Sequence, residues 1–202
     1  LELSLFLSIP ATVALFIASK PIVSALFGYG SFSETSVENS ALALFYFSFG
    51  LPAFSLIKVF SSFFFARHNT KTPFYISLIS VLLNIFISIL FFNKLGFIII
   101  PIATSISSWF NAIALYIFSK KNNFFIFNDI FIYRFPRIII SSLIMVLVFY
   151  FLLNFISDKL IYSENFKFIY LLLSIMVALI CYLGASFFTK AFKLSDINLK
   201  YK

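Results

Sequence analysis

The sequence has one cysteine, Cys181, so no disulfide framework holds this chain together. It has one histidine, His68, and only seven acidic residues in 202. No His/Cys cluster has metal-ligand spacing, no glycine-rich loop is built to cradle a phosphate, and no pair of carboxylates falls in an apolar stretch. A nucleophile and its base cannot be assembled from that inventory, so the chain is read as no enzyme. Charge is scarce as well. Only 11% of residues are charged, where a soluble domain carries about 25%. The opposite excess excludes disorder: the chain is 62% hydrophobic and contains 32 phenylalanines. Its net charge of +8 is not gathered on one soluble face, so no nucleic-acid partner is expected. A mean hydropathy of +1.06 exceeds what a soluble fold can hide. The fold class that remains is all-α, a polytopic transmembrane helical bundle.

A membrane-crossing helix needs about 20 mostly apolar residues to cover ~30 Å of hydrocarbon. Six runs qualify, over residues 3–27, 40–65, 74–92, 97–118, 137–156 and 168–188. They are too long and too evenly apolar for barrel strands, which run about 10 residues with alternating polarity. The first run carries Pro10 and a break at Lys20-Pro21; it reads as a kinked span followed by a short interfacial helix over 22–27. A turn and a capped helix start follow Gly28, and residues 93–96 read as a tight hairpin. The expected organisation is four helices over 1–120, a basic and aromatic interfacial linker over 121–136, and two further helices with a short basic tail over 137–202.

Six spans put both termini on one side. That side holds ten cations: Arg67, Lys71, Lys120, Lys121, Arg134, Arg137, Lys190, Lys193, Lys200 and Lys202. The other holds four, Lys20, Lys94, Lys159 and Lys167, and Lys58 lies within a span. The positive-inside rule then predicts cytoplasmic termini. A chain that starts at Leu1, enters an apolar run almost at once and lacks a basic signal-peptide region reads as the C-terminal part of a longer protein.

Polar residues inside spans are costly, so their helical phase is informative. Ser4, Ser8, Thr12 and Ser19 share one face of the first run, and Ser48, Ser55, Lys58 and Ser62 share one face of the second. Ser77, Ser80, Asn84 and Ser88 do so in the third, and Thr104, Ser108 and Asn111 in the fourth. The last two runs show no continuous stripe and read as lipid-facing on most of their circumference. Stripes of Ser and Thr are commonly helix-packing seams. Four striped helices followed by two without stripes suggest a shared polar interior with two helices appended outside. Lys58 sits about two turns, ~10 Å, from the end of its span. It either snorkels to the interface or holds an anionic group inside. No carboxylate falls within a span, so no buried ion pair is expected inside the chain, with Glu2 taken as too close to the end to count. Pro10, Pro52 and Pro101 fall inside runs and are expected to favour kinks.

Three stretches carry a family resemblance. One joins residues 7–15, Lys20-Pro-Ile-Val and residues 26–32. Another joins Gly50-Leu-Pro, Lys58-Val and the loop Ala66-Arg-His-Asn-Thr-Lys-Thr-Pro73. The last is Asn84 with Gly96 and Ala103-Thr-Ser-Ile106. Together they resemble the C-terminal part of the MurJ/MviN lipid II flippases, in the MOP exporter superfamily. The resemblance implies the second lobe of a two-lobe transporter, in part, plus two extra helices. It also implies alternating access, a lipid-linked precursor of the undecaprenyl-pyrophosphate type as partner, peptidoglycan biosynthesis, and a bacterial inner membrane. On this reading Lys58, Ser55, Ser62, Ser8, Thr12, Ser108 and Asn111 line a substrate cavity. Arg67, Lys71, Lys120, Lys121, Arg134 and Arg137 meet lipid headgroups on the cytoplasmic side. Some members bind sodium, and Asn84, Ile100 and Thr104 fall at matching places; Ser88 stands where the family has a carboxylate. No other cofactor is implied. The readings kept beside this one are another exporter of the superfamily, for polysaccharide or drug, and a membrane scaffold that transports nothing.

Overall fold

The computed structural model describes residues 1–125, 129–162, 164 and 166–191. Among them are seven α-helices: α1 (Glu2–Phe27), α2 (Glu34–Ser48), α3 (Leu51–Phe65), α4 (Lys71–Leu95), α5 (Ile99–Lys121), α6 (Asp129–Phe155) and α7 (Lys167–Phe188). No strand occurs among the described residues. Four continuous helical runs are long and apolar enough to cross a bilayer, or five when the bent pair α2–α3 is taken as one span. One of those runs joins α4 to α5 through a short 3-10 turn. The expectation of six passes counts these two arms separately. They do lie side by side, because the Asn84 amide donates to the Thr104 hydroxyl at 3.0 Å. Unbroken helix would set those residues about 30 Å apart. Gly96 makes the reversal: its φ of 60° and ψ of −144° lie in a region essentially restricted to glycine.

Local signals set the other boundaries. Ser33 caps α2, its hydroxyl accepting from the Ser36 N–H at 3.2 Å, and Glu34 sits in the first turn where the helix dipole favours a carboxylate. This is the capped start expected after Gly28. The structure departs from the sequence reading in three places. The first run is kinked as expected, but the break falls at the non-helical Ala18 rather than at Lys20-Pro21, and the helix beyond it runs to Phe27. Pro21 cannot bond to the carbonyl of Ile17 and crowds it, so the distortion falls on the next residue. The second run is two helices that meet at 42° around Phe49-Gly50. The linker is shorter than expected, since α6 begins at Asp129; residues 126–128 lie outside the described set. Pro52 and Pro101 lie in the first turns of α3 and α5, where the missing N–H is not needed, so only Pro10, Pro21 and Pro136 sit in helix interiors.

Helix α1 is the hub, packed against α2, α3, α6 and α7. Its contacts with α6 and α7 bury Phe6, Ala18, Ala25, Met145, Phe149, Leu171, Ala178 and Tyr182. Lipid tails are as apolar as this core, so close approach through small residues has to supply the cohesion. Ser141, Ser142, Ala178 and Ser186 are buried in these helices for that reason. Lys167, Leu171, Ser174, Ala178, Tyr182 and Ser186 form one buried face of α7, and the rest of its circumference is left open. Alanine and leucine interrupt its polar members, which hides it from a count of polar residues alone.

Tyr182 shows how the hub is fixed. Pro10 has no N–H, so the carbonyl of Phe6 loses its partner within α1. The Tyr182 hydroxyl donates to that carbonyl at 2.7 Å, and its ring lies 5.0 Å from the Phe6 ring. Tyr182→Phe is expected to lower the unfolding free energy by about 1–3 kcal/mol, the cost of an unpaired buried acceptor. Pro10→Ala restores an N–H and should shrink that loss. Thermal unfolding in detergent of the wild type, both single variants and the double variant measures the coupling.

Candidate functional site

The polar faces of α4 and α5 meet. The Asn84 side-chain amide donates to Thr104 Oγ1 at 3.0 Å and to Ser107 Oγ at 3.3 Å, and Ser88 Oγ donates to Asn84 Oδ1 at 3.5 Å. One turn further, Asn111 Nδ2 donates to Ser77 Oγ at 3.3 Å, while Asn111 Oδ1 is buried without a partner among the described residues. All of these side chains except Ser88 border an open cavity of about 490 Å³, which Phe54 and Ile57 of α3 also line. The Thr104 hydroxyl is bonded to the Ile100 carbonyl at 2.8 Å. Asn84, Ser88, Thr104 and the Ile100 carbonyl thus come together. Their oxygens are all uncharged. A hard cation prefers several oxygens including a carboxylate, and among the described residues no group of three or more His, Cys, Asp or Glu could hold a metal.

Ser108 and Asn111 line the same cavity. The other expected cavity residues lie elsewhere. Ser55 of α3 donates to the Ser4 carbonyl of α1 at 3.4 Å, a packing contact. Thr12 Oγ1 donates to the Ser8 carbonyl at 2.7 Å, and the Ser8 hydroxyl is buried without a partner among the described residues. Lys58 and Ser62 are exposed on α3, and Lys58 has no partner among the described residues. The expected interior shared by four striped helices is therefore formed here by α4 and α5 with an apolar wall from α3, and the stripe of α1 faces other helices.

The cations fall into two groups. Lys71, Lys120 and Lys121 are exposed. Arg67 lies over the Phe124 ring at 4.3 Å and donates to the Phe63 carbonyl at 2.9 Å. Arg137 lies over the Tyr133 ring at 5.6 Å and donates to the Lys190 carbonyl at 3.5 Å. Arg134 is paired with Glu2 at 2.9 Å, both side chains at most a third exposed. This pair is part-buried and lies at the start of α1, a contact the sequence reading did not anticipate. Glu2 lies in the first turn of α1, which packs beside α6, a proximity invisible across more than a hundred residues of sequence.

Sequence reasoning placed Lys167 among the four cations of the second side. It is fully buried. Its ammonium donates to the carbonyls of Gly28 at 2.7 Å and Tyr162 at 2.8 Å, and lies 4.3 Å and 4.8 Å from the ring centres of Tyr29 and Tyr162. Carbonyl oxygens and aromatic faces solvate the cation in place of water. Gly28 leaves the room: a Cβ there would stand 2.6 Å from the Ser24 carbonyl and 3.1 Å from the ammonium. The Tyr162 hydroxyl donates to the Phe32 carbonyl at 2.6 Å, so the segment after α6 is tied twice to the turn between α1 and α2. The sequence signal was present, tyrosines on both loops with a lysine at a helix start, but nothing in it said that the loops touch.

Residues 1–173 match the family model described as lipid II flippase MurJ. The chain belongs to the MurJ family. It is 37% identical over 123 residues to a probable lipid II flippase MurJ of Rickettsia prowazekii, covering 61% of this chain and 24% of the relative. A probable lipid II flippase MurJ of Buchnera aphidicola from Schizaphis graminum is 36% identical over 194 residues, covering 93% of this chain and 37% of the relative. A solved structure of lipid II flippase MurJ in an inward closed conformation superposes with a TM-score of 0.75 at 32% identity, over 92% of this chain and 37% of that one. The chain therefore spans between about a quarter and somewhat over a third of the length of these MurJ relatives. Family and apolar helices together make it a multi-pass membrane protein.

Lys167→Met removes both carbonyl contacts while keeping the bulk of the side chain. It is expected to cost about 1–3 kcal/mol for acceptors left unpaired. Lys167→Arg should not restore stability, because a planar guanidinium does not replace a compact ammonium between two rings. Thermal unfolding of both variants in detergent decides this.

Proposed function

We propose that this chain forms the C-terminal part of a lipid II flippase that works by alternating access in peptidoglycan biogenesis. The observation that carries the proposal is the family match over residues 1–173. The partner is a lipid-linked precursor of the undecaprenyl-pyrophosphate type, and an N-terminal half completes the transporter. The membrane is the bacterial inner membrane, crossed six times, with both ends of this segment in the cytoplasm. Moving a charged headgroup through hydrocarbon costs several kcal/mol or more, so a flippase needs a polar path for the headgroup while the tail stays in lipid. Rocking of two lobes opens such a path to each side in turn.

In this reading Lys58 is this chain's anion contact. It is exposed on α3 without an intramolecular partner among the described residues, which leaves its ammonium available to pyrophosphate oxygens. Ser62 sits one turn further on the same exposed face. Lys71, Lys120 and Lys121 meet anionic headgroups at the membrane surface, joined by Arg67 and Arg137, whose guanidinium groups also bond within the chain. The α4–α5 cluster, with Asn84, Ser88, Thr104 and the Ile100 carbonyl, contributes neutral oxygens to a sodium site whose carboxylate comes from outside this chain. The chemistry is transport, with no bond made or broken.

A fusion of this chain to the first eight spans of a related MurJ, expressed in cells depleted of their own flippase, tests the reading. Rescue of growth is expected, with Lys58→Ala abolishing rescue at equal membrane abundance. A well-inserted fusion that fails to rescue overturns the flippase assignment in favour of another exporter of the superfamily or a scaffold. In the rescuing fusion, Asn84→Ala is expected to weaken sodium-dependent thermal stabilisation. A fusion whose stability is indifferent to sodium removes the ion site.

A further inference from the structure

The Gly28 end of the bundle contains a second cavity, of about 420 Å³, open on one side. It lies between the last turns of α1, the first turn of α2, the end of α6 and the segment that follows α6. Its walls are of two kinds. Ile17, Val37, Leu153 and Ile161 give it an apolar lining. Lys20, Ser24, Glu34, Tyr150, Asn154 and Ser157 add polar groups of both signs.

Lys20, Glu34 and Asn154 are exposed, while Ser24 is buried. The Ser24 residue is 5% exposed, yet its hydroxyl has no partner among the described residues. Buried hydroxyls are normally paired, and one left free beside a cavity points to a ligand that completes it. Glu34 lines the cavity as a carboxylate with no intramolecular partner among the described residues, at the N-terminus of the 15-residue helix α2. Lys20 also lines it and is bonded at 2.7 Å to Glu38, itself half exposed. An ammonium has three donors, so Lys20 retains capacity for a second acceptor. Tyr162, part of the lining, is tied through its hydroxyl to Phe32 and through its carbonyl to Lys167.

A ligand that fits these groups carries a primary amine for Glu34, an anionic oxygen for Lys20, an acceptor for Ser24 and an apolar tail for the remaining wall. We propose that this cavity is a binding site for a phospholipid with a zwitterionic phosphoethanolamine headgroup. The ammonium bonds to Glu34 and the Asn154 side-chain oxygen, and a phosphate oxygen bonds to Lys20. Ser24 donates to an ester or phosphate oxygen, and one acyl chain lies against Ile17, Val37, Leu153 and Ile161. Location supports a membrane lipid over a soluble ligand, because the cavity sits at the ends of membrane-crossing helices, where headgroups are found. The opposite charges of Lys20 and Glu34 disfavour a purely anionic headgroup, which would meet an uncompensated carboxylate. A quaternary choline headgroup has no N–H to donate to Glu34. This site is separate from the α4–α5 cluster and does not depend on the flippase reading.

Native mass spectrometry of the 202-residue chain released from detergent, with phosphatidylethanolamine, phosphatidylglycerol or phosphatidylcholine of matched acyl chains added, tests the proposal. Phosphatidylethanolamine adducts are expected to predominate. Glu34→Gln should lower their retention about tenfold, the loss of one charge-assisted hydrogen bond. Ser24→Ala should lower it less, and Lys94→Gln, at the far end of α4, should leave it unchanged. Circular dichroism of each variant establishes equal helicity, and the same measurement in nanodiscs serves for any variant that loses helix in detergent. Equal retention of all three lipids, preference for phosphatidylglycerol, or retention indifferent to Glu34→Gln overturns the assignment.

Discussion

A backbone carbonyl without a partner cannot be left in an apolar bundle, and the main inter-helix ties of this chain answer that constraint. Pro10 frees the Phe6 carbonyl, and Tyr182 of α7 takes it. The bend between α2 and α3 frees the carbonyls of Tyr46 and Phe49. Ser105 and Trp109, one turn apart on α5, donate to them at 2.7 Å and 2.9 Å. The end of α1 presents the Gly28 carbonyl, and the buried ammonium of Lys167 takes it. Each interruption of a helix is thus also a docking point for another helix. The chain uses breaks that would weaken an isolated helix to choose which helices pack and in what register.

This arrangement divides the chain into two working regions. The pairing of α4 with α5 leaves amide and hydroxyl groups around an open cavity, bonded mostly to one another and carrying no charge. The packing of α6 and α7 onto α1 is fixed instead by hydroxyls, an ion pair and a caged cation. Such a division suits the transport role proposed above, in which one surface must exchange partners with substrate while another holds its helices in place. On the exposed face of α3, Lys58 has no partner among the described residues, whereas Lys167 and Arg134 bond within the chain.

Much of this was legible in the residues. Scarce charge and long apolar runs determined an all-helical membrane protein. Gly96 marked the hairpin and Ser33 the cap, because both signals act within a few residues. The loop Ala66-Arg-His-Asn-Thr-Lys-Thr-Pro73 carried the family resemblance that the match over residues 1–173 bears out. The resemblance also grouped Asn84 with Thr104, and the structure shows how they meet: the hairpin brings the stripes of α4 and α5 face to face. The stripes of α1 and α3 read the same way and behave differently: Ser55 closes onto the Ser4 carbonyl, and Lys58 points out of the chain. Helical phase says which residues share a face, and not which neighbour that face will meet.

Sequence alone therefore determined the solvent this protein lives in, its long apolar helices and some of their ends, since these follow from composition and neighbours in the chain; the break at Phe49-Gly50 came only with the structure. Only the tertiary structure decided which groups are spent and which are free. Glu2 paired with Arg134, Lys167 vanished into a cage, and Ser24 and Glu34 were left beside a cavity without partners among the described residues, because each outcome depends on residues far apart in the chain. Charge and hydrogen-bonding capacity are properties of a residue, whereas their availability is a property of its surroundings.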